Sequence, residues 1–393
     1  MTQRTICIAT STRADWGLLR PVAEALRDGR RVRPLILATN MHLLERFGHT
    51  ADEITAAGFD IAARVPMDET GDTAAARVLA MSQCLAGTAR ALESMRPDAL
   101  LLLGDRYEML AVAQAAAMMD IPVIHIAGGE ISEGAIDDSI RHAITKLSML
   151  HLTATEPYRR RVIQLGEDPA RVVNTGAIGV YNIMSRPVMS RAELERSTGL
   201  PAGCPFIVAT FHPATLDPAN PSDRCREMLA ALDTFTSHHL LITYPNNDAR
   251  SGGIIDAIEA FAAARPGRVT LIRSLGAERY LAAIRYADAV VGNSSSGLVE
   301  VPSAGTPTVD IGIRQQGRIA GPTVIHCGDS RSDIADAIGR ALSPQMRQLA
   351  ARSENPYARP DTLRLMIDAI YAFMDTLPAP AKKFYDLPQT NPL

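Results

Sequence analysis

The sequence is poor in cysteine, with five in 393 residues, and none of them falls in a C-x-x-C pair. This odd, widely spaced set (Cys7, Cys84, Cys204, Cys225 and Cys327) offers neither a disulfide framework nor a zinc spacing. It suits a reducing compartment in which each thiol is a small buried hydrophobe. Neither charge sign prevails: 40 Lys and Arg stand against 43 Asp and Glu, a net charge of −3. No bulk field therefore recruits nucleic acid or an anionic membrane, and any anion must be met by a local site. No run approaches the ~18 consecutive apolar residues of a membrane span, and the N-terminus, MTQRTICIAT, reads as a short strand rather than a targeting segment. These absences describe an untargeted protein expected in the cytoplasm. Two nucleotide-binding signatures are missing as well. No G-x-G-x-x-G follows the first strand and no G-x-x-x-x-G-K-[ST] occurs, which weighs against tight NAD binding and against a P-loop.

What the chain does contain is a regular alternation. Hydrophobic residues make up 47% of it, and at roughly 100–200 residues per domain its length predicts two domains, each able to bury its own core. Short β-branched or aliphatic runs at 5–10, 34–39, 98–103, 121–126 and 149–153 read as strands, with amphipathic helices between them at about 17–28, 72–95, 106–119, 137–147 and 156–165. Strands apolar on both faces and separated by helices predict a parallel sheet covered on both sides, with ligands gathered beyond the C-terminal strand ends. The pattern pauses at 177–204 in a stretch suited to a domain crossing, then restarts with strands near 205–210, 239–243, 268–272, 288–292, 306–311 and 323–326. The expectation is an α/β protein of two doubly wound domains, 1–180 and 181–393, facing each other across a cleft. A helix near 361–375 can pack back on the first domain, and the tail from Leu377 is expected to be irregular.

The residues that follow the strands are of types that bind anions and move protons. After the first strand, Ser11-Thr12-Arg13-Ala14-Asp15-Trp16-Gly17 opens a helix; its N–H groups and the Arg13 fork suit an anion, while Ser11 and Thr12 could equally be plain helix caps. The strand 98–103 runs into Gly104-Asp105-Arg106-Tyr107-Glu108, where Asp105 is either a base or an N-cap. The next strand ends in His125-Ile126-Ala127-Gly128-Gly129-Glu130, and its loop feeds Asp137-Asp138-Ser139-Ile140-Arg141-His142. Asp105, Glu130 and Asp137 thus lie on neighbouring strand ends or loops. Such a cluster can hold one proton at raised pKa, as proton transfer at a weakly acidic carbon requires. Asp138, Arg141 and His142 fit a helix start with internal pairs equally well. In the second half, His212 follows one strand and Tyr244-Pro245-Asn246-Asn247-Asp248 another. Gly292-Asn293-Ser294-Ser295-Ser296-Gly297 then opens a helix with a concave run of small donors suited to a phosphate or diphosphate. Glu300 can accept from a ribose diol, and Arg314 and Arg318 can neutralise the same phosphates. No H-E-x-x-H occurs, and no metal is assigned.

A phosphate-binding second domain with a carboxylate-rich first one resembles the GT-B arrangement of nucleotide-sugar enzymes. The ordered segments STRADWG, MHLLERFG, LGDRYE, HIAGGE, GAIDDSIRHAITKLS, FHPATL, YPNND, GNSSSGLVEVPS and IGIRQQGR cover nearly the whole chain. They resemble the hydrolysing UDP-N-acetylglucosamine 2-epimerases of sialic-acid-type sugar biosynthesis, relatives of the non-hydrolysing bacterial 2-epimerases. The resemblance implies a reaction without metal or NAD, in which UDP leaves C1 as a proton leaves C2 and the resulting 2-acetamidoglucal is hydrated to a free manno-configured sugar. It implies acid/base roles for Asp105 and Asp137, and for His212 a place at the diphosphate or in catalysis. It implies nucleotide-sugar contacts for Arg13, Arg106, Asn246, Ser294, Ser295, Glu300 and Arg314, with Arg318 matching a more distant arginine. A small-molecule UDP-sugar substrate and a homo-oligomer are implied as well.

Two positions depart from the family pattern. Relatives often carry Glu two residues after the strand-end histidine, where this chain has Ala127, which leaves Glu130 to complete the proton-transfer set. Leu18 stands where the non-hydrolysing branch has lysine, which favours the hydrolysing branch. The expected substrate is UDP-N-acetylglucosamine, giving N-acetylmannosamine and UDP. The alternative is UDP-2,4-diacetamido-2,4,6-trideoxyglucose of the legionaminic-acid route, which differs at C4 and C6. From other classes, a GT-B glycosyltransferase would share the phosphate turn but need an acceptor, and a non-catalytic nucleotide-sugar sensor would bind without turnover.

Overall fold

The computed structural model describes residues 3–45, 50–68, 73–245, 250–377 and 381–387. The chain divides into two units. The first comprises Met1–Glu130, Asp137–Tyr181 and Arg359–Leu393. Its strands are β1 (Arg4–Thr10), β2 (Val32–Thr39), β3 (Ile61–Val65), β4 (Ala99–Leu103), β5 (Val123–Ile126), β6 (Leu150–Thr153) and β7 (Val172–Asn174). They form one sheet in the order β3-β2-β1-β4-β5-β6-β7, every pairing parallel.

Alternation along β1 shows why these runs read as continuously apolar. Ile6 and Ile8 face a layer with Trp16, Leu19 and Leu26, while Cys7 and Ala9 face another with Leu100, Leu102 and Val112. Both faces are covered by helices, so neither keeps polar residues. The helix Thr362–Asp375 lays Met366, Ile370 and Phe373 on the Trp16 layer beside the helix Arg13–Gly29. Burial of each such side chain stabilises by roughly 1.5–3 kcal/mol, so this far end of the chain is part of the first core. Pro34 is tolerated inside β2 because pairing with β3 begins only at Ile36, which leaves its missing N–H facing no partner strand.

Two strands are absent from the sequence reading, and both lie at sheet edges. β3 alternates half-buried and exposed positions and carries Arg64, while β7 has only three residues. Neither makes the apolar run that marks a strand buried on both faces.

The second unit comprises Ile131–Ile136 and Asn182–Ala358. Two contiguous blocks meeting at residue 180 do not allow for this: the short segment 131–136 folds with the second unit. Its strands β8 (Phe206–Thr210), β9 (His239–Thr243), β10 (Val269–Ile272), β11 (Ala289–Gly292), β12 (Thr308–Ile311) and β13 (Val324–Cys327) form a parallel sheet in the order β10-β9-β8-β11-β12-β13. Ile207, Ala209, Leu240 and Ile242 face one apolar layer, and Phe206, Val208 and Leu241 face the other. Each sheet reverses its strand order once, between β1 and β4 in the first unit and between β8 and β11 in the second. Both are Rossmann-like, and the reversal is where open α/β sheets bind ligands. Among the described residues no helix is long and apolar enough to cross a membrane.

Candidate active site

The loop after β1 meets its own backbone donors. Thr12 caps the helix Arg13–Gly29, its hydroxyl accepting from the Asp15 N–H at 3.2 Å. The Asp15 carboxylate reaches back to the N–H groups of Ser11 at 2.7 Å and Thr12 at 2.6 Å. This capping box occupies the backbone donors that the sequence offered to an anion, which leaves only side chains of the turn for that role. Arg13 Nε lies 2.7 Å from Glu53 Oε1.

The next strand end is organised by a residue whose side chain is 1% exposed, Arg141. A guanidinium cannot be buried unless its donors are met. Its Nε donates to Asp105 Oδ2 at 3.0 Å, with Nη2 on the same oxygen. Its Nη1 donates to the Glu130 carbonyl at 2.8 Å and to Asp138 Oδ1 at 3.0 Å. The internal helix pair Asp138–Arg141 is therefore present, and the same arginine also ties together the loops after β4 and β5. The N-cap of the helix Tyr107–Met118 is Arg106, not Asp105. Asp105 keeps a side chain 25% exposed, open to solvent while held on Arg141. Arg106 Nε donates to the buried Glu108 carboxylate at 2.6 Å. Glu130 is buried, and Asp137 is the first, partly exposed residue of the helix Asp137–Leu147.

Fully buried histidines support these loops. His125 bonds the Gly104 carbonyl through Nε2 at 2.8 Å, next to Asp105, and faces Thr145 Oγ1 through Nδ1 at 3.3 Å. Burial pushes its pKa down to about 3, so it is neutral and acts as a strut. Ala127 follows in the left-handed region at φ 69°, its N–H on the Leu152 carbonyl at 3.0 Å. Gly129, φ 79°, is pressed so close to the Tyr158 carbonyl that a Cβ would lie 2.5 Å from it.

In the second unit the hub is Asn293, 2% exposed at the end of β11. Its side chain clamps the backbone of His212 after β8: Oδ1 accepts from the His212 N–H at 2.7 Å and Nδ2 donates to its carbonyl at 2.8 Å. The Asn293 carbonyl accepts from Arg314 Nη1 at 3.1 Å and Gln315 Nε2 at 3.0 Å. His212, the serine turn and Arg314 are thereby gathered at one strand-order reversal. Gly292 is required there, since a Cβ would stand 1.8 Å from the Thr210 carbonyl. Ser294 is the N-cap of the five-residue helix Ser295–Val299, and Ser294, Ser295 and Glu300 are partly exposed. Glu300 lies near Tyr280, whose hydroxyl pKa is raised by burial first and then by the charge of Glu300. Arg314 and Arg318 both act on the buried Asp310, whose carboxyl is raised by burial and partly relieved by His326 Nδ1 at 2.8 Å. The segment 131–136 is tied to the same region. The Leu216 N–H donates to the Gly134 carbonyl and the Glu133 N–H to the Gln316 carbonyl, each at 3.1 Å. Asn246 lies outside the described residues.

The residues missed from the sequence are the organisers, Arg141, Asn293 and Gln315. Each sits inside a motif already singled out, but only strand order shows what it holds.

The family described as UDP-N-acetylglucosamine 2-epimerase matches residues 24–371. A Campylobacter jejuni protein named GDP/UDP-N,N'-diacetylbacillosamine 2-epimerase (hydrolyzing) is 35% identical over 349 residues, covering 88% of this chain and 90% of its own. The Escherichia coli polysialic acid biosynthesis protein P7 is 35% identical over 385 residues, 98% of each chain. The crystal structure of UDP-GlcNAc 2-epimerase from Neisseria meningitidis bound to UDP-GlcNAc shares the fold with a TM-score of 0.77 at 15% identity, over 94% of this chain and 100% of its own. Two Rossmann-like units in a GT-B-like architecture, matched along most of their length, establish that the chain belongs to the UDP-N-acetylglucosamine 2-epimerase family.

Proposed function

We propose that the chain is a hydrolysing 2-epimerase that releases UDP from a UDP-2-acetamido sugar of gluco configuration and returns the free sugar as its manno epimer. The observation that carries this reading is Asp105, oriented by the buried Arg141 yet open to solvent beside the helix that begins at Asp137. In the first step a carboxylate takes the C2 proton as the C1–O bond to UDP breaks, leaving a C1=C2 double bond. In the second, water adds hydroxyl to C1 and a proton to the opposite face of C2, so atoms and electrons balance without an oxidant. Asp105 and Asp137 are the proton carriers, and Glu130 relays from its buried position. His212, Ser294, Ser295, Arg314 and Arg318 meet the diphosphate, Glu300 the ribose, and Arg13, Arg106 and Asn246 the remainder of the nucleotide sugar.

Two substrates fit this chemistry. The name of the Campylobacter relative supports the N,N'-diacetylbacillosamine nucleotide, UDP-2,4-diacetamido-2,4,6-trideoxyglucose, which we place first, reversing the order expected from sequence. The Escherichia coli relative, named for polysialic acid biosynthesis, supports UDP-N-acetylglucosamine. Proton NMR in D2O with each sugar separately tests both. The expected result is UDP with a free manno sugar deuterated at C2 from the diacetamido substrate, and turnover of the other slower by about tenfold or more. Release of a gluco-configured sugar without deuterium would overturn the elimination, and faster turnover of UDP-N-acetylglucosamine would restore it to first place.

A further inference from the structure

The segment 381–387 docks on the first unit at the C-terminal end of the helix Asp137–Leu147, the end opposite Asp137. A helix ends with unpaired carbonyls, and a cation there is favourable. This helix has no glycine after Leu147 to turn the chain back on itself; Ser148 and Met149 follow. Ser148 closes part of the last turn, its N–H donating to the Thr145 carbonyl at 3.1 Å and its hydroxyl to the Ile144 carbonyl at 2.7 Å, and Lys382 Nζ adds donors to the carbonyls of Thr145 at 3.3 Å, Lys146 at 2.9 Å and Ser148 at 2.6 Å. The same ammonium lies 2.5 Å from the carboxylate of Glu167, whose side chain is 2% exposed. Lys146 Nζ and His151 Nε2 meet that carboxylate as well, at 2.8 Å and 3.0 Å. The neighbouring residues of the segment fix its place. The Tyr385 N–H donates to the Gly166 carbonyl at 2.9 Å, and the Phe384 ring covers Gly166 so closely that a Cβ there would stand 2.3 Å from it.

We infer that Lys382 is a positioning residue for the reaction proposed above, acting through the helix it caps. The other end of that helix carries Asp137, and its buried Arg141 holds Asp105 and the Glu130 carbonyl. Displacement of the helix at Lys382 moves these groups against one another, while the UDP-binding residues of the second unit are untouched. The inference rests on the epimerase reading for its kinetic effect and on the geometry alone for its effect on the helix.

The test uses the full chain with Lys382→Met, which keeps the stem and removes the charge, and with Lys382→Arg. Lys382→Met is expected to lower kcat by about tenfold or more with KM little changed, because small misplacements of reacting groups are costly. Lys382→Arg, which keeps a cation with several donors, is expected to recover most of that loss. Hydrogen exchange of the amides in 141–147 is expected to speed up by about tenfold in Lys382→Met, since a lost cap loosens the last turns. Unchanged kcat in a folded Lys382→Met protein, or failure of Lys382→Arg to recover, would overturn the positioning role. Unchanged exchange would overturn the cap itself. If the wild-type chain turns over neither UDP sugar, the function reading fails, and the exchange measurement still decides the cap.

Discussion

Arg141 shows how much of the candidate chemistry depends on a single guanidinium buried among carboxylates. If Asp105 and Asp137 carry the protons, Asp105→Asn and Asp137→Asn each lower kcat by about 10²–10⁴-fold while UDP affinity, measured by calorimetry, stays within about threefold. Full turnover in either variant removes that residue from the mechanism. The carboxylates themselves were legible in the sequence because they follow apolar runs, and strand ends are where such a fold collects its ligand. Their organiser was legible only in part. Asp138–Arg141 is a spacing of three on one helix face, which a sequence displays, whereas Arg141–Asp105 spans 36 residues and exists only because β4 and β5 are neighbours. Asp15 illustrates the opposite case: Thr12-x-x-Asp15 is a capping box that spacing alone reveals, and it takes the backbone donors that would otherwise face an anion.

Among the elements, the turn from β11 into the helix Ser295–Val299 has the most constrained geometry, with Gly292 pressed on Thr210 and Asn293 bonded to His212, Arg314 and Gln315. Ser295→Ala and Arg314→Ala are expected to weaken UDP binding by about tenfold each, the loss of one charge-assisted hydrogen bond, with the fold intact by circular dichroism. Unchanged affinity in both would remove the phosphate clamp from this turn. The small-residue pattern of the turn announced it in the sequence. The edge strands β3 and β7 did not announce themselves, because an edge strand need not be apolar on both faces. The helix expected from residue 17 begins at Arg13, since Thr12 starts it within a stretch that reads as a turn.

Across the whole molecule, burial and pairing shift titrating groups in both directions. In the first unit, burial holds His125 down to about 3, and Glu167, despite its burial, is held at about 2 by bonds from His151, Lys146 and Lys382. Both groups bind protons more readily in the unfolded chain. Their contribution is therefore complete above about pH 6.5 and is lost as pH falls, from 6.5 towards 3 for His125 and from about 4.5 towards 2 for Glu167. In the second unit burial raises Asp310 and its hydrogen bond raises His326, contributions that are present at low pH and lost as pH rises through the raised values. The chain has one tryptophan, Trp16, in the core of the first unit. Its emission is expected to report a lower urea midpoint at about pH 4.5 than at pH 7; an equal or higher midpoint would contradict the assignment of His125 and Glu167. The division of the chain into interleaved segments has a consequence for gene recombination. A crossover at residue 180 would hand each parent's first core the other parent's Thr362–Asp375 helix, and each second unit the other's 131–136. Chimeras of this family that keep every core with its own residues therefore need exchanges at four junctions, after 130, 136, 181 and 358.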